Sequence, residues 1–273
     1  MFEQLKYINH RNESIDFGQS CIFVNHNDLH DYSWAVTSKN NRISSFSKGV
    51  ITRNLPVVIQ CKSEKEGIAL RNKLFELCEK DVLAHKHGRI VIGDYYLKCF
   101  ITGSKKQEYL ITKGYMKATL AVTTDFPYWI RETTTTFGYG IGTVGSNLDF
   151  NRDFPYDYTS NLESKALNNT GFVATNFRLN IYGLCENPKI TIAGHDYEVA
   201  VSVAANEFLS IDSVAKTITL THTDGTVENC FNLRNKESYI FEKIPSGVSE
   251  VATNGDFKFD VVLLEERSEP KWT

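Results

Sequence analysis

Long apolar runs are missing from this sequence of 273 residues. The longest purely aliphatic stretch, Val261–Leu264, has four residues, whereas a membrane-spanning helix needs about 20. The N-terminal segment Met1–Lys6 alternates polar and apolar residues and lacks the apolar core of a secretory signal. We therefore expect neither a transmembrane helix nor export by that route.

Paired cysteines and a strong charge are also missing. The six cysteines are scattered along the chain, several of them in apolar patterns where a reduced thiol packs as a small hydrophobic group, so we expect a reducing folding compartment. The net charge is only −3. Residues 1–132 carry 19 Lys and Arg against 14 Asp and Glu, and residues 133–273 carry 11 against 19. This asymmetry is too weak to predict nucleic-acid binding, although it would help opposite faces of an assembly to meet.

The motifs that indicate catalysis do not occur. The sequence has no G-x-S-x-G elbow, no H-E-x-x-H pair and no phosphate-loop lysine. The glycine-rich stretch Gly138–Gly142 is not followed by helical periodicity, so it is not a phosphate cradle. The acids Glu265–Glu266, and Asp153 with Asp157, are close only in sequence. We expect no catalytic residue, no cofactor and no enzymatic activity.

Histidine is the remaining candidate metal ligand. The segment His26–Asp31 gathers imidazoles and carboxylates, but no cysteine or third histidine nearby completes a tetrahedral set. The segment His85-Lys86-His87 alternates faces if it is extended, and His195 and His222 flank predicted turns. We interpret His26–Asp31 as an exposed loop and expect no metal site.

The pattern that is present predicts a first domain of mixed α+β structure. Ser63 and Glu66 have capping-box spacing at the start of a helix that runs to about Asp81. Its apolar residues, which fall on one half of the circumference and should pack on a sheet, are Ile68, Leu70, Leu74, Phe75, Leu77 and Cys78. Strand-like segments surround this helix, at Leu55–Cys61, Arg89–Ile92, Tyr96–Thr102 and Gly114–Thr123, with a turn at Gly93-Asp94. We predict an N-terminal mixed β-sheet domain with one main helix at residues 1–132.

A change in composition separates this domain from the second half. Four threonines and then four glycines fill much of the stretch Thr133–Asn147, which offers little packing surface, so we predict a linker at residues 133–150. Beyond it, short strands such as Phe177–Tyr182 and Lys258–Leu264 alternate with tight turns. The hairpin connections are predicted at Ala193–Asp196, Asp224-Gly225 and Asn254-Gly255. Residues 151–273 are therefore predicted to form a β-sandwich.

Aromatic residues cluster around the predicted linker. The cluster comprises Phe137, Tyr139, Phe150, Tyr156 and Tyr158. Such rings can stack on a sugar, lie in a subunit interface or pack between the two domains. A carbohydrate-binding module is therefore one hypothesis for the function.

Several short motifs, taken in order, carry a resemblance to a known family. They are Phe126–Trp129, Gly183–Ile190, Leu209–Ser213 with Lys216, Asp224-Gly225, Ile240–Gly247 and Arg267–Trp272. Each has an ordinary explanation in turn and strand chemistry. Together, after an α+β domain with one central helix, they resemble the siphophage distal tail protein family. The sequence departs from the family at Val248–Glu250, where similar proteins often have an asparagine soon after the glycine.

This resemblance implies a structural virion protein at the tail tip, synthesised and assembled in the host bacterial cytoplasm. The first domain would assemble into a hexameric ring around the tail channel, and a galectin-like sandwich would project outward. The ring would bind the tail tube protein on one face and the tail-tip hub protein on the other. The alternatives are a carbohydrate-binding or receptor-binding module of the tail tip and, third, a hydrolase, which requires convergent acids.

The predicted linker leads to the first testable expectation. Because the stretch Gly138–Gly145 contributes little to either core, limited proteolysis should cut there before it cuts elsewhere. Mass spectrometry of the first fragments locates the site. First cuts within residues 60–125 would show that the predicted boundary is wrong.

Overall fold

The computed structural model describes residues 4–19, 21–24, 26–109, 112–138 and 166–272. The chain divides into two compact units, residues 1–131 with 266–273 and residues 132–265. The predicted domain scheme differs from this division in its last residues, since 266–273 group with the first unit. Residues 139–150 of the predicted linker lie outside the described residues. The assignment of domains to roles stays a prediction.

The first unit contains one helix, α1 (Glu64–Ala84), among the residues that the structure describes. Its strands are β1 (Leu5–Ile8), β2 (Ser14–Phe17), β3 (Ile22–Val24), β4 (Ala35–Lys39), β5 (Arg42–Ser47), β6 (Ile51–Gln60), β7 (Gly88–Ile92), β8 (Tyr95–Glu108), β9 (Tyr115–Thr124) and the start of β10 (Trp129–Phe137).

The long strand β8 organises the sheet of the first unit. Its first half pairs with β7 on one side and with Trp129–Arg131 of β10 on the other, and its second half pairs with β9. The order continues from β7 to β1 and β2, and from β9 to β6 and β3, with antiparallel pairing throughout. Alternate residues of these strands point into one core, where Leu97, Leu120 and Trp129 are fully buried.

Helix α1 begins as the sequence predicted. Ser63 has an extended backbone, and its Oγ accepts a 3.2 Å hydrogen bond from the amide of Glu66. The helix ends at Ala84, one turn later than predicted, where His85 takes a left-handed conformation (φ 52°) and its amide bonds back to the helix.

The buried face of α1 is narrower than the sequence predicted. Leu74, Leu77 and Cys78 are buried and pack toward β6 and β8, but Ile68 and Phe75 are 41% and 60% exposed. Because Ile68 and Phe75 lie seven residues apart, they share a stripe beside the buried face and not on it. The prediction that both contact the sheet was wrong.

A buried carboxylate fixes the end of α1 to the β1–β2 hairpin. Asp81 has no solvent exposure and accepts hydrogen bonds from the hydroxyl of Tyr7 and from the backbone amide of His10, the latter at 2.9 Å. The Nδ1 atom of His10 lies 2.6 Å from the same carboxylate. Burial, with the hydrogen bond to Asp81, raises the pKa of Tyr7 far above its usual range, so the phenol stays protonated and donates. A Cβ on Gly88 would overlap both Asp81 and Tyr7, so this position needs glycine.

The second unit is built from two antiparallel sheets. One contains β12 (Asn176–Tyr182), β17 (Phe208–Asp212), β18 (Thr217–Thr221), β19 (Val227–Asn229) and β21 (Phe259–Arg267), in the order β19-β18-β17-β12-β21. The other has the order β11-β20-β14-β15, with β11 (Ala166–Asn169), β14 (Lys189–Ile192), β15 (His195–Glu198) and β20 (Gly247–Thr253). A short pair, β13 (Cys185–Glu186) with β16 (Ser202–Val203), and a 3-10 turn at Phe231–Leu233 complete it.

The inner faces of these sheets form a second core. Phe177, Tyr197 and Phe259 are its largest fully buried side chains. The turns at Ala193-Gly194 and Asp224-Gly225 connect paired strands, as predicted. The turn at Asn254-Gly255 does not, because β20 pairs with β11 and β14 while β21 pairs with β12. That hairpin prediction was wrong, since the turn leads from one sheet to the other.

The fold class predicted from the sequence is confirmed. An antiparallel sheet with one main helix is followed by a β-sandwich. Within the described residues, no helix has both the length and the apolarity needed to cross a membrane.

The Asp81 contacts predict the effect of removing the carboxylate. Asp81→Ala leaves the buried Tyr7 hydroxyl and His10 amide without an acceptor, so the free energy of unfolding should fall by about 2–4 kcal/mol. All three tryptophans belong to the first unit, so tryptophan fluorescence in urea reports this unit selectively. Glu79→Ala, on the exposed side of the same helix, is the control. Equal stability of the two variants would refute the anchoring role of Asp81.

Candidate functional site

The hairpin of β4 and β5 is the most exposed regular element of the first unit. All eleven residues of its two strands are exposed, and the two strands form a sheet of their own. Among the described strands, neither pairs with a third. Because an isolated two-stranded hairpin is at best marginally stable in water, this element needs support from its base or from a partner.

Backbone chemistry explains why the chain turns here. Asn40 and Asn41 both have positive φ, 53° and 60°, as a type I′ turn requires. Asparagine tolerates this conformation better than most residues. A register shift between Thr37 and Ser38 marks a bulge, which the hydroxyl of Ser44 supports by donating to the carbonyl of Thr37 at 3.0 Å.

The hairpin has one apolar face. Val36 is paired with Phe46, and Ser38 with Ile43, so these side chains share a side. Val36, Ile43 and Phe46 are 54%, 61% and 58% exposed. Trp34 lies two residues before Val36 and so points to the same side. Its ring meets the ring of Phe46 edge-on, with the ring centres 6.4 Å apart. We call Trp34, Val36, Ile43 and Phe46 the hairpin apolar face; exposed apolar surface of this kind marks an interaction site.

A lysine among aromatic rings holds the base of the hairpin. The Nζ atom of Lys48 lies 4.5 Å from the ring centre of Trp34, 4.4 Å from that of Tyr128 and 5.7 Å from that of Tyr32. It donates hydrogen bonds to Ser268 Oγ at 2.7 Å and to the carbonyl of Pro127 at 3.4 Å. We call Lys48 with these three rings the lysine cage.

The electrostatics of the lysine cage indicate a structural role. Burial, with the nearby charge of Arg53, lowers the pKa of Lys48 to about 8. Arg53 is itself buried and donates to the carbonyl of Leu29 at 3.1 Å. Because no carboxylate lies within ion-pair distance of Lys48 in the described part of the chain, the rings and the oxygen acceptors stabilise its charge. A cavity of about 150 Å³ beside Lys48 is too small for a typical ligand.

The segment His26–Asp31 meets the C-terminal segment in a groove of about 700 Å³. His30 stacks on Trp272 with ring centres 4.1 Å apart, and Trp272 Nε1 donates to Glu269 at 2.6 Å. His30 Nδ1 lies 3.8 Å from Glu269. The stacked rings and the carboxylate thus hold the end of the chain against this loop. The described residues contain no group of three His, Cys, Asp or Glu side chains arranged to hold a metal ion.

The other residues singled out from the sequence do not converge. His87 pairs with Asp125 at 2.8 Å and His222 with Glu207 at 2.8 Å, while His195 Nε2 faces the carbonyl of Tyr239 at 3.0 Å. The acids Glu265 and Glu266 are consecutive in β21, so their side chains point to opposite faces of the strand. Phe137 packs in the second core, stacked on Phe259 at 5.0 Å. Outside the described residues lie Tyr139, Gly140, Ile141, Gly142, Phe150, Asp153, Tyr156, Asp157 and Tyr158.

Neither the hairpin nor the lysine cage was predicted from the sequence. The signal for the hairpin was present, since Asn40-Asn41 lies between two short runs that contain residues typical of strands, Trp34–Thr37 and Ile43–Phe46. The cage had no such signal, because its rings come from positions 32, 34 and 128, which only the folded chain brings together.

The lysine cage predicts how firmly the hairpin is held. Lys48→Ala removes the cation and both of its hydrogen bonds, and one cation–π contact contributes about 0.5–2 kcal/mol. Hydrogen exchange of the β4 and β5 amides should therefore become about tenfold faster. Lys86→Ala, at an exposed position between α1 and β7, is the control and should leave exchange unchanged. Equal exchange in the wild type and Lys48→Ala would show that the cage does not hold the hairpin.

Comparisons with known proteins give matches in structure only. No protein-family model and no curated protein sequence matches the chain. The crystal structure of the phage SPP1 Dit protein (gp 19.1), described as a paradigm of the hub adsorption apparatus in phages that infect Gram-positive bacteria, is 11% identical with a TM-score of 0.59, covering 98% of this chain and 100% of that one.

Two structures of the phage P2 baseplate in its activated conformation also match. The calcium form gives a TM-score of 0.65 and the strontium form 0.63, each at 14% identity and covering 99% of this chain and 100% of the matched chain. Identities this low establish the fold alone. The chain therefore has the fold of the SPP1 Dit protein and of a phage P2 baseplate chain, in agreement with the resemblance that its sequence motifs indicated.

Proposed function

We propose that this chain is a structural component of a phage tail tip, a distal tail protein whose copies form a ring between the tail tube and the host-attachment apparatus. The observation that carries the proposal is the fold match, which extends over nearly the whole of this chain and over the full length of each matched chain. A match to one shared domain would not support a common architecture in this way.

The exposed hairpin supports an assembly role independently of the comparisons. Its apolar face has no cover within the described protomer, and exposed apolar side chains are stabilised when another surface removes them from water. A ring subunit needs such surfaces, because each copy contacts two neighbours through different patches.

The partners in this proposal are further copies of the chain, in a ring that we expect to be a hexamer, the tail tube protein and the tail-tip hub protein. The location is the tail tip of the virion. We propose a non-enzymatic role, because the structural neighbours belong to an adsorption apparatus and a baseplate.

Assembly of the purified chain tests the proposal. The full chain should form cyclic oligomers with increasing concentration, seen by light scattering and negative-stain imaging, because head-to-tail contacts that close leave no free end. Residues 133–273 alone should stay monomeric, since we place the ring contact in the first domain. Adding the tube and hub proteins should raise the ring fraction by mass action.

Two results would count against this proposal. Rings formed by residues 133–273 alone would place the contact in the wrong half of the chain. A full chain that stays monomeric alone and with tube and hub proteins would contradict ring formation itself. As a control for folding, circular dichroism should show β-structure in both proteins.

A further inference from the structure

Helix α1 carries a second uncovered apolar surface. Ile68, Phe75 and Val82 recur every seven residues, which places them on one side of the helix, and Leu83 adjoins them. Their side chains are 41%, 60%, 40% and 78% exposed, in that order. We call these four residues the helix stripe. Its exposure is unusual because an amphipathic helix normally turns its apolar residues inward.

Opposite charges border the two surfaces. Glu76 and Glu79 are exposed and lie beside the C-terminal half of the helix stripe, whereas Lys65 and Arg71 lie beside its N-terminal half, where Arg71 donates to the carbonyls of Thr112 and Tyr115. Lys39 and Arg42 flank the turn at the tip of the hairpin, and both are exposed as well. The side chains of Glu76, Glu79, Lys39 and Arg42 have no ion-pair partner among the described residues. The hairpin therefore presents an apolar face with a basic tip, and the helix presents an apolar stripe whose C-terminal half, around Phe75 and Val82, has an acidic border.

These surfaces do not cover each other within one protomer, because both are exposed at the same time. Two copies could pair like with like, but hairpin on hairpin would bring basic tips together, and helix on helix would bring acidic borders together. Juxtaposed like charges oppose association. When the hairpin of one copy meets the helix of another, the two apolar surfaces face each other and the basic tip faces the acidic border.

We infer that the β4–β5 hairpin of one protomer lays its apolar face on the helix stripe of a second copy, with Lys39 and Arg42 meeting Glu76 and Glu79. The inference rests on the proposed ring and gives its contact residues. Since the two patches differ, the contact is head-to-tail, the kind that generates rings. The aromatic rings of Phe46 and Phe75 form the centre of the contact, where water is excluded.

Charge exchange between the two surfaces tests this contact in the full chain. Lys39→Glu with Arg42→Glu should weaken self-association at least about tenfold at low salt, because like charges then face each other. Glu76→Lys with Glu79→Lys should weaken it similarly. The quadruple variant should recover most of the lost association, and the loss should shrink in high salt. Sedimentation over a concentration series measures the association constant of each variant.

A matched control separates this contact from a general effect of charge. Lys236→Glu with Lys243→Glu, and Glu237→Lys with Glu242→Lys, make the same changes in net charge at exposed positions of the second unit and should leave association unchanged. Urea unfolding, followed by tryptophan fluorescence for the first unit and by circular dichroism for the whole chain, should show that all variants are as stable as the wild type, since the altered side chains are exposed.

A crosslink locates the contact directly, even where association is weak. Phe46→p-benzoylphenylalanine, irradiated in the concentrated full chain, should join residue 46 to a peptide within Glu64–Ala84 of another copy. Mixed isotopically labelled and unlabelled protein distinguishes this from a crosslink within one chain.

The outcomes separate the inference from the proposed function. Rings whose stability ignores both charge reversals, or a crosslink to another peptide, would overturn the hairpin-on-helix contact while ring formation stands. Absence of any crosslink between copies, with a full chain that stays monomeric alone and with the tube and hub proteins, would overturn both. Loss on each reversal with recovery in the quadruple variant supports the contact.

Discussion

The buried carboxylate of Asp81 is the interaction on which the arrangement of the first unit depends. A polar group without solvent exposure is tolerated only where hydrogen bonds replace its hydration, and here the donors come from Tyr7 and His10 in the β1–β2 hairpin. Because these donors are fixed in the sheet, they set the rotation of α1 about its axis. Leu74 and Leu77 then face the core, and Phe75 faces outward.

The rotation of α1 about its axis decides which of its apolar side chains pack in the core and which are exposed. A helix turned by a quarter would bury Phe75 and lose the contacts of Leu77, so the exposure of the helix stripe follows from where Asp81 is held. The β4–β5 hairpin is fixed at its base in a comparable way. The aromatic rings of the lysine cage contact Lys48, and Phe46 stays exposed. In both places a polar contact positions an apolar side chain toward solvent, where it is available to the contact between copies that we propose.

The sequence predicted what depends on local chemistry. The Ser63 cap, the alternation of Tyr115–Thr124 and the turns at Gly93 and Gly194 need only neighbours in the chain, and the structure contains them. The sequence did not predict the features that depend on residues far apart in the chain. Periodicity could not show which half of α1 faces the sheet, because Asp81 decides this through contacts more than 70 positions away in sequence. The sequence also did not show that the turn at Asn254-Gly255 joins the two sheets, because strand pairing depends on residues far apart in the chain.

The motifs that indicated the fold are backbone motifs, and this explains what they could not indicate. Asp212 accepts the amides of Val214 and Ala215 at 2.8 Å, and a Cβ at Gly183 would overlap the carbonyl of Ala204. Such constraints act inside one protomer, so any chain with this fold meets them whatever it assembles with. An apolar face on a hairpin is constrained only by the surface that covers it. The apolar face of the hairpin and the surface that covers it can change together without destabilising the fold. A match in backbone motifs therefore specifies the architecture. The contact between copies has to be inferred from the exposed side chains of this particular chain.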